Sequence, residues 1–503
     1  MTRRPAGTPP ARSSVAPMSR AARATLEERR ELGEQARART DPGEAGGWHP
    51  PPGRRDPVAL LEAQNATRDP DLVPVRHGRM MASPFTFYRG TATVMATDLA
   101  GTPTAGLQVQ LCGDAHLSNF GAYGSPERQL VFDLNDFDET LPGPFEYDVR
   151  RLAASFTIAA QANDFSPAIA RRATIKATKA YRKAMAQFAE MPTLELWYSH
   201  MSERDLAAGM KDVRRQWLAK AANEKKRHRK AAADEATRAL RRGQAALSKA
   251  RGRTSLQAMS KLTEVVDGRR RFISDAPAII PLRELGAVYG LDADQLRSAM
   301  DKQLADYRST LSETKQRLLD RFELVDIARK VVGVGSVGTR AFVVLLRGRD
   351  EGDPLFLQVK EATSSVLEAH LPRTEFATAG ERVVQGQRLM QAASDIFLGW
   401  SGGIEPDRFY YWRQLRDMKG SVAVDAMIPT GMDYYAEVCG WSLARAHARS
   451  GDAVAIAAYL GTDKRFEKAT ADFAEAYAEQ NEQDYRRFVE AIDSGRIQAT
   501  AGV

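Results

Sequence analysis

Only two cysteines, Cys112 and Cys439, occur in 503 residues. Two cysteines cannot build a disulfide framework or a cysteine-rich zinc site. Also missing is any apolar run long enough to span a bilayer, which excludes a helical membrane protein. The first 39 residues are rich in Arg, Ala, Pro and Ser, without the apolar segment a secretory signal needs. Together these absences predict a cytoplasmic protein without a membrane partner. Aromatics make up 8% of the chain, and almost none fall among its densest basic residues. That segment, 211–253, holds fifteen Lys/Arg against four Asp/Glu. A basic surface without interleaved aromatics is poorly suited to stacking single-stranded nucleic acid. The net charge of +8 therefore reads first as a basic tail and solvated helix faces, with a nucleic-acid partner as a less favoured alternative.

What is present suffices for two or three domains. Residues 1–55 are basic and Pro/Gly-rich and are expected to be disordered. A first folded part, 56–190, should open with a helix capped by Asp56 and begun by Pro57. Residues 191–280 read as a basic helical insertion. Residues 281–425 contain three β-type runs, 327–334, 341–346 and 355–359, split by turns. That pattern predicts an antiparallel meander, followed by a helix over 378–393 and a strand over 409–415. Residues 426–503 are helical. The expected class is α+β.

Two clusters carry chemistry. Residues 111–120 read Leu-Cys-Gly-Asp-Ala-His-Leu-Ser-Asn-Phe. A turn over 121–128 and a strand ending at Leu134 lead to Asn-Asp-Phe-Asp over 135–138. Asp114, His116 and Asn119 thus share one loop, and Asp133, Asp136 and Asp138 stand at the end of the next strand. Clustered carboxylates repel unless a cation neutralises them. Mg²⁺ takes such carboxylate and amide oxygens and completes its shell with phosphates. Asn119, Asp136 and Asp138 are the candidate metal ligands, and Asp114, Asn119 and His116 the candidate catalytic residues.

The second cluster is Gly333-x-Gly335-Ser336-x-Gly338. A β-type run follows it, where a dinucleotide fold would have a helix. A glycine loop between antiparallel strands is the geometry of a phosphate-covering flap, because backbone N–H groups can approach phosphate there. Lys360, at the end of the next strand, is a candidate phosphate contact. Glu381 is the expected partner of Lys360, with Glu375 in reserve.

The residues 112–120 resemble the catalytic loop of aminoglycoside phosphotransferase-like kinases, of the form H-G-D-x-H-x-x-N. Asn-Asp-Phe-Asp-Glu (135–139) resembles their metal-binding acid motif, and Tyr-Asp-Val-Arg-Arg-Leu-Ala (147–153) the helix whose Asp braces that loop. Over about 56–495 the chain resembles an uncharacterised bacterial family, domain of unknown function 2252, which is grouped with kinase-like proteins. The resemblance implies a two-lobed kinase-like fold binding ATP and Mg²⁺ and transferring phosphate to a hydroxyl of a small molecule. Asp114 would be the base, Asn119 and Asp136 the metal ligands, and Asp148 the brace. Cys112 stands where these kinases carry His. The catalytic loop also precedes the glycine loop, which implies a circular permutation. A rival order would make 447–452 (His-Ala-Arg-Ser-Gly-Asp) the catalytic loop. Other readings are an AMPylase, a nucleotide-binding pseudokinase, or a nucleic-acid-binding protein using 211–253. Arg89, His116 and Arg150 are candidate acceptor or phosphate contacts.

Overall fold

The computed structural model describes residues 24–221, 226–289, 292–331, 333–415 and 418–500. It is an α+β protein. The expected meander is present. Glu323–Lys330, Ala341–Arg347 and Pro354–Ala362 are consecutive antiparallel neighbours. Ile279–Pro281 extends the sheet at one edge, and Phe409–Gln414 then Gly399–Gly402 extend it at the other. The first strand begins four residues earlier than expected, because Leu324 and Val325 already pack into the hydrophobic clusters flanking the sheet. Pro354–Ala362 is interior to the sheet and buried along nearly its whole length. The Ala379–Met390 helix, capped by Thr378, packs between this sheet and the Pro429–Ser450 helix.

The main core is helical. Glu146–Ala162 is buried on nearly every face, against Pro167–Ala189 and Arg465–Asp493. The Pro429–Ser450 helix crosses Pro167–Ala189 at Gly440. A Cβ there would lie 2.1 Å from the Ala177 carbonyl oxygen, so only glycine permits the approach.

The expected disorder over 1–55 is corrected for residues 24–55; residues 1–23 lie outside the described residues. Leu26–Arg39 is a helix with a Thr25/Glu28 capping box. Its small residues Gly33 and Ala36 are buried, and the helix packs on Ala453–Leu460. Arg54 is buried between Asp98 and Asp484, bonding both carboxylates at 2.6–2.8 Å. A charged, Pro-rich stretch is ordered here by partners more than four hundred residues away in the chain, such as Asp484, and no local signal announces them.

A second sheet carries the acid loop. Residues 121–128 are not all turn: Phe120–Gly124 is a strand paired antiparallel with Leu130–Leu134. Its Gly and Ala residues hide a β pattern that pairing alone imposes. Glu203–Ala221 and Lys226–Arg251 pack on each other, and the latter also reaches Pro429–Ser450. Among the described residues no helix is long and apolar enough to cross a membrane.

Candidate active site

The acid loop is fixed from behind. Asp148, at the start of the buried Glu146–Ala162 helix, accepts the N–H groups of Cys112 (2.8 Å) and Gly113 (3.0 Å). Gly113 has φ +82°, and a Cβ on it would lie 2.2 Å from the Glu139 carbonyl oxygen. Both facts demand glycine. His447 Nε2 lies 3.2 Å from Asp148, and His447 Nδ1 lies 2.9 Å from the Tyr181 hydroxyl. The brace thus uses backbone groups of residue 112, not its side chain. The rival placement of the catalytic loop at 447–452 is corrected. His447 is fully buried in that brace, and Asp452 caps Ala453–Leu460 and pairs with Arg29.

Asp114 is held by Arg151, whose Nε and Nη2 lie 2.8 Å from Oδ1. Arg151 is itself fixed. It donates to the Tyr88 carbonyl and its guanidinium stacks 3.9 Å from the Tyr88 ring centroid. The neighbouring Arg150, expected from the sequence to contact acceptor or phosphate, does not line the site. Arg150 turns away, donating to Thr102 Oγ1 and the Pro103 carbonyl. Adjacent helix positions differ by about 100°, so only one of the two can face the loop. Burial raises the pKa of Asp114, although Arg151 opposes that shift. His116 Nε2 lies 3.6 Å from Asp114 Oδ2. Burial, with Arg89 and Arg151 nearby, holds the His116 pKa well below its ordinary value, so the ring is neutral at pH 7. Asn119 donates its side-chain N–H to the Asp114 carbonyl (2.8 Å), leaving its amide oxygen as the available ligand atom.

The second sheet delivers Asp136 and Asp138 to the meander. Lys360 Nζ lies 2.6 Å from Asp138 Oδ2 and 3.7 Å from Asp136 Oδ1. Asp138 also accepts from the Tyr411 hydroxyl (2.6 Å) and Ser336 Oγ (3.3 Å). Burial pushes Asp138 up, but Lys360 and Tyr411 prevail and hold it at about 2. Asp136 is raised, first by burial and then by the charge of Asp138. Its Oδ1 is buried without a hydrogen-bond donor. Two expectations change here. Lys360 pairs with Asp138 and Asp136, not with Glu381 or Glu375. From the same helix as Glu381 it is Arg382 that faces the acid loop, donating to the carbonyls of Asp138 and Thr140. And Asp138, with both oxygens engaged, is the partner of the lysine and not a ready metal ligand.

The two clusters meet in one cavity of about 290 Å³. Asp114, His116, Asn119, Asp136 and Asp138 line it together with Gly333, Gly335 and Ser336. Lys360 is buried behind Asp138. Gly338, at φ +89°, packs against the Arg68 side chain outside the cavity lining. Among the described residues, the backbone N–H groups of Gly335 and Ser336 make no hydrogen bond. Sequence reading missed Arg68, Arg76 and Glu139, which also line the cavity. Burial raises Glu139 to about 7. Among the described residues no group of three or more His, Cys, Asp or Glu is arranged to hold a metal. The donor set that does fit a hard cation is smaller: the Asp136 carboxylate, whose Oδ1 has no hydrogen bond and only the 3.7 Å pairing with Lys360, and the Asn119 amide oxygen. That suits Mg²⁺, which keeps waters and phosphate oxygens beside one or two protein ligands.

The sequence matches the family described as "Uncharacterized protein conserved in bacteria (DUF2252)" over residues 68–491. The chain belongs to that family. Comparison with curated proteins and with solved structures finds no match.

Proposed function

We propose that this protein is a Mg²⁺- and ATP-dependent phosphotransferase with a circularly permuted, kinase-like two-lobed fold, acting on a hydroxyl of a small molecule. One observation carries the reading. The acid loop and the glycine loop line one cavity, with Lys360 bonded to Asp138 222 residues away in the chain. Phosphoryl transfer needs little covalent help from a protein; positioning and charge neutralisation do the work. The pieces for both are gathered here.

Asp114 acts as the base. Arg151 fixes one carboxylate oxygen and leaves Oδ2 to meet an acceptor hydroxyl and take its proton. The unbonded amides of Gly335 and Ser336 hold phosphate oxygens, while Lys360, buried behind Asp138, fixes that carboxylate and adds positive charge beneath the site. Mg²⁺, held by Asn119 and Asp136, neutralises phosphate charge when bound. Its arrival would also relieve the repulsion between Asp136 and Asp138. Cys112 in place of His does not weaken the reading, since Asp148 grips backbone N–H groups and His447 supplies an imidazole from another helix.

The test is product analysis after incubation with Mg-ATP and a panel of hydroxyl-bearing small molecules. The reading predicts ADP formation that depends on acceptor and is lost in Asp114→Asn. Pyrophosphate release in place of ADP means adenylyl transfer. Bound Mg-ATP with neither product across a broad panel means a nucleotide-binding module.

A further inference from the structure

The cavity is lined by arginines as well as by acids. Arg68, Arg76 and Arg89 all line it. Among the described residues none of the three has a carboxylate within ion-pair distance. Arg76 is fully buried and donates only to neutral groups: Asn65, Gln64 and the Gly90 carbonyl. Arg68 is 9% exposed, donates to the Val337 carbonyl, and its Nε has no partner. Arg89 makes no hydrogen bond or ion pair among the described residues, and its Nε is likewise buried and unmet. The acids of the cavity differ. Asp114 has Arg151, Asp138 has Lys360, and Glu361 has Arg340 and Arg408.

Carbonyl partners orient a guanidinium but do not cancel its charge. Buried charge without a bonded counter-charge is costly, and Glu139, Asp138 and Glu361 act on Arg68 only from beyond ion-pair distance. A planar guanidinium fork with unmet N–H groups suits a carboxylate or phosphate oxyanion. The acids that act electrostatically on Arg89 are Asp114 and Asp136, so Arg89 adjoins the proposed base. His116, whose Nδ1 is buried without a hydrogen bond, lines the same cavity and lies within electrostatic reach of Arg89.

We infer that Arg89, with Arg68 and Arg76, forms an oxyanion subsite that holds a phosphate or carboxylate group of the acceptor substrate. The acceptor is then an anionic small molecule, a sugar phosphate or hydroxy acid in class, not a neutral or cationic one. Assigning the subsite to the acceptor rests on the phosphotransferase reading; the oxyanion site itself does not.

Thermal unfolding of the full chain separates these claims. Inorganic phosphate, compared with chloride at equal ionic strength and without Mg²⁺ or nucleotide, should raise the Tm of the wild type. Arg89→Gln should lose that shift, and Arg68→Gln should reduce it. The ligand-free Arg89→Gln protein should melt no lower than the wild type, because no native partner of Arg89 is lost; a drop of several degrees would make the arginine structural and overturn the subsite. Mg-ADP should still stabilise Arg89→Gln while failing to stabilise Asp136→Ala. If Arg89→Gln also loses the Mg-ADP shift, the arginines serve the nucleotide and the acceptor assignment fails. If phosphate stabilises wild type and Arg89→Gln equally, the subsite itself is overturned. If Mg-ADP stabilises nothing while the Arg89-dependent phosphate shift persists, the nucleotide reading fails and the oxyanion site stands.

Discussion

Asp133 and Asp136 stand three residues apart at the end of one strand, yet their surroundings are opposite. Asp133 is 1% exposed and saturated. Its oxygens accept the N–H groups of Leu134 and Ala392, and Arg445 lies 2.5 Å away. Asp136 borders a cavity, has one oxygen with no hydrogen bond and only a 3.7 Å approach from Lys360, and is pushed towards its protonated form by burial and by Asp138. The first carboxylate is finished by the fold. The second is left unfinished, as a ligand site must be. Local pattern alone does not separate the two, since each is an Asp beside an apolar residue; only the motif resemblance over 135–139 singles out Asp136. What separates them is whether distant parts of the chain deliver a cation and an amide, as Arg445 and Ala392 do for Asp133.

The largest expected effect breaks the finished member. Asp133→Ala strands Arg445, itself 1% exposed, as an unpaired buried charge, so it should cost about 3–5 kcal/mol in denaturant unfolding. A loss below about 1 kcal/mol would erase the contrast.

The next prediction concerns pH. Glu139 is raised by burial to about 7 from an ordinary 4.5. A raised folded-state pKa means that its contribution to stability is fully present below about 4.5 and fades as pH rises through 7. The difference amounts to roughly 3 kcal/mol at most. Glu139→Gln should flatten that part of the stability-versus-pH curve and make the protein relatively more stable at pH 8. Parallel curves for the two proteins would show that Glu139 titrates normally.

How much of this was legible beforehand follows the same division. The meander, the strands Gln108–Leu111 and Leu130–Leu134, and both chemical loops were readable, because local periodicity and glycine placement write them into short segments. The partners were not. Arg151 in place of Arg150, and Arg382 facing the loop in place of Glu381, each turn on a single step around a helix. The order of residues 24–55 depends on Arg54 meeting Asp98 and Asp484. Arg68 and Arg76 lie outside every motif, and only the fold brings them to the cavity beside Arg89.

The smallest stability effect belongs to the unfinished member. Asp136→Asn should leave the ligand-free protein within about 1 kcal/mol of the wild type, because relief of its repulsion with the half-buried Asp138 offsets loss of the long 3.7 Å pairing with Lys360. A loss as large as that of Asp133→Ala would make Asp136 a structural residue.

The most direct test of the central claim is a calorimetric titration of the wild-type protein and Asp136→Asn with ATP, with and without Mg²⁺. The account predicts saturable, Mg²⁺-dependent binding to the wild type that weakens at least tenfold, about 1.4 kcal/mol, in the variant. Equal affinity in both proteins, or no binding to a well-folded wild type, would contradict it.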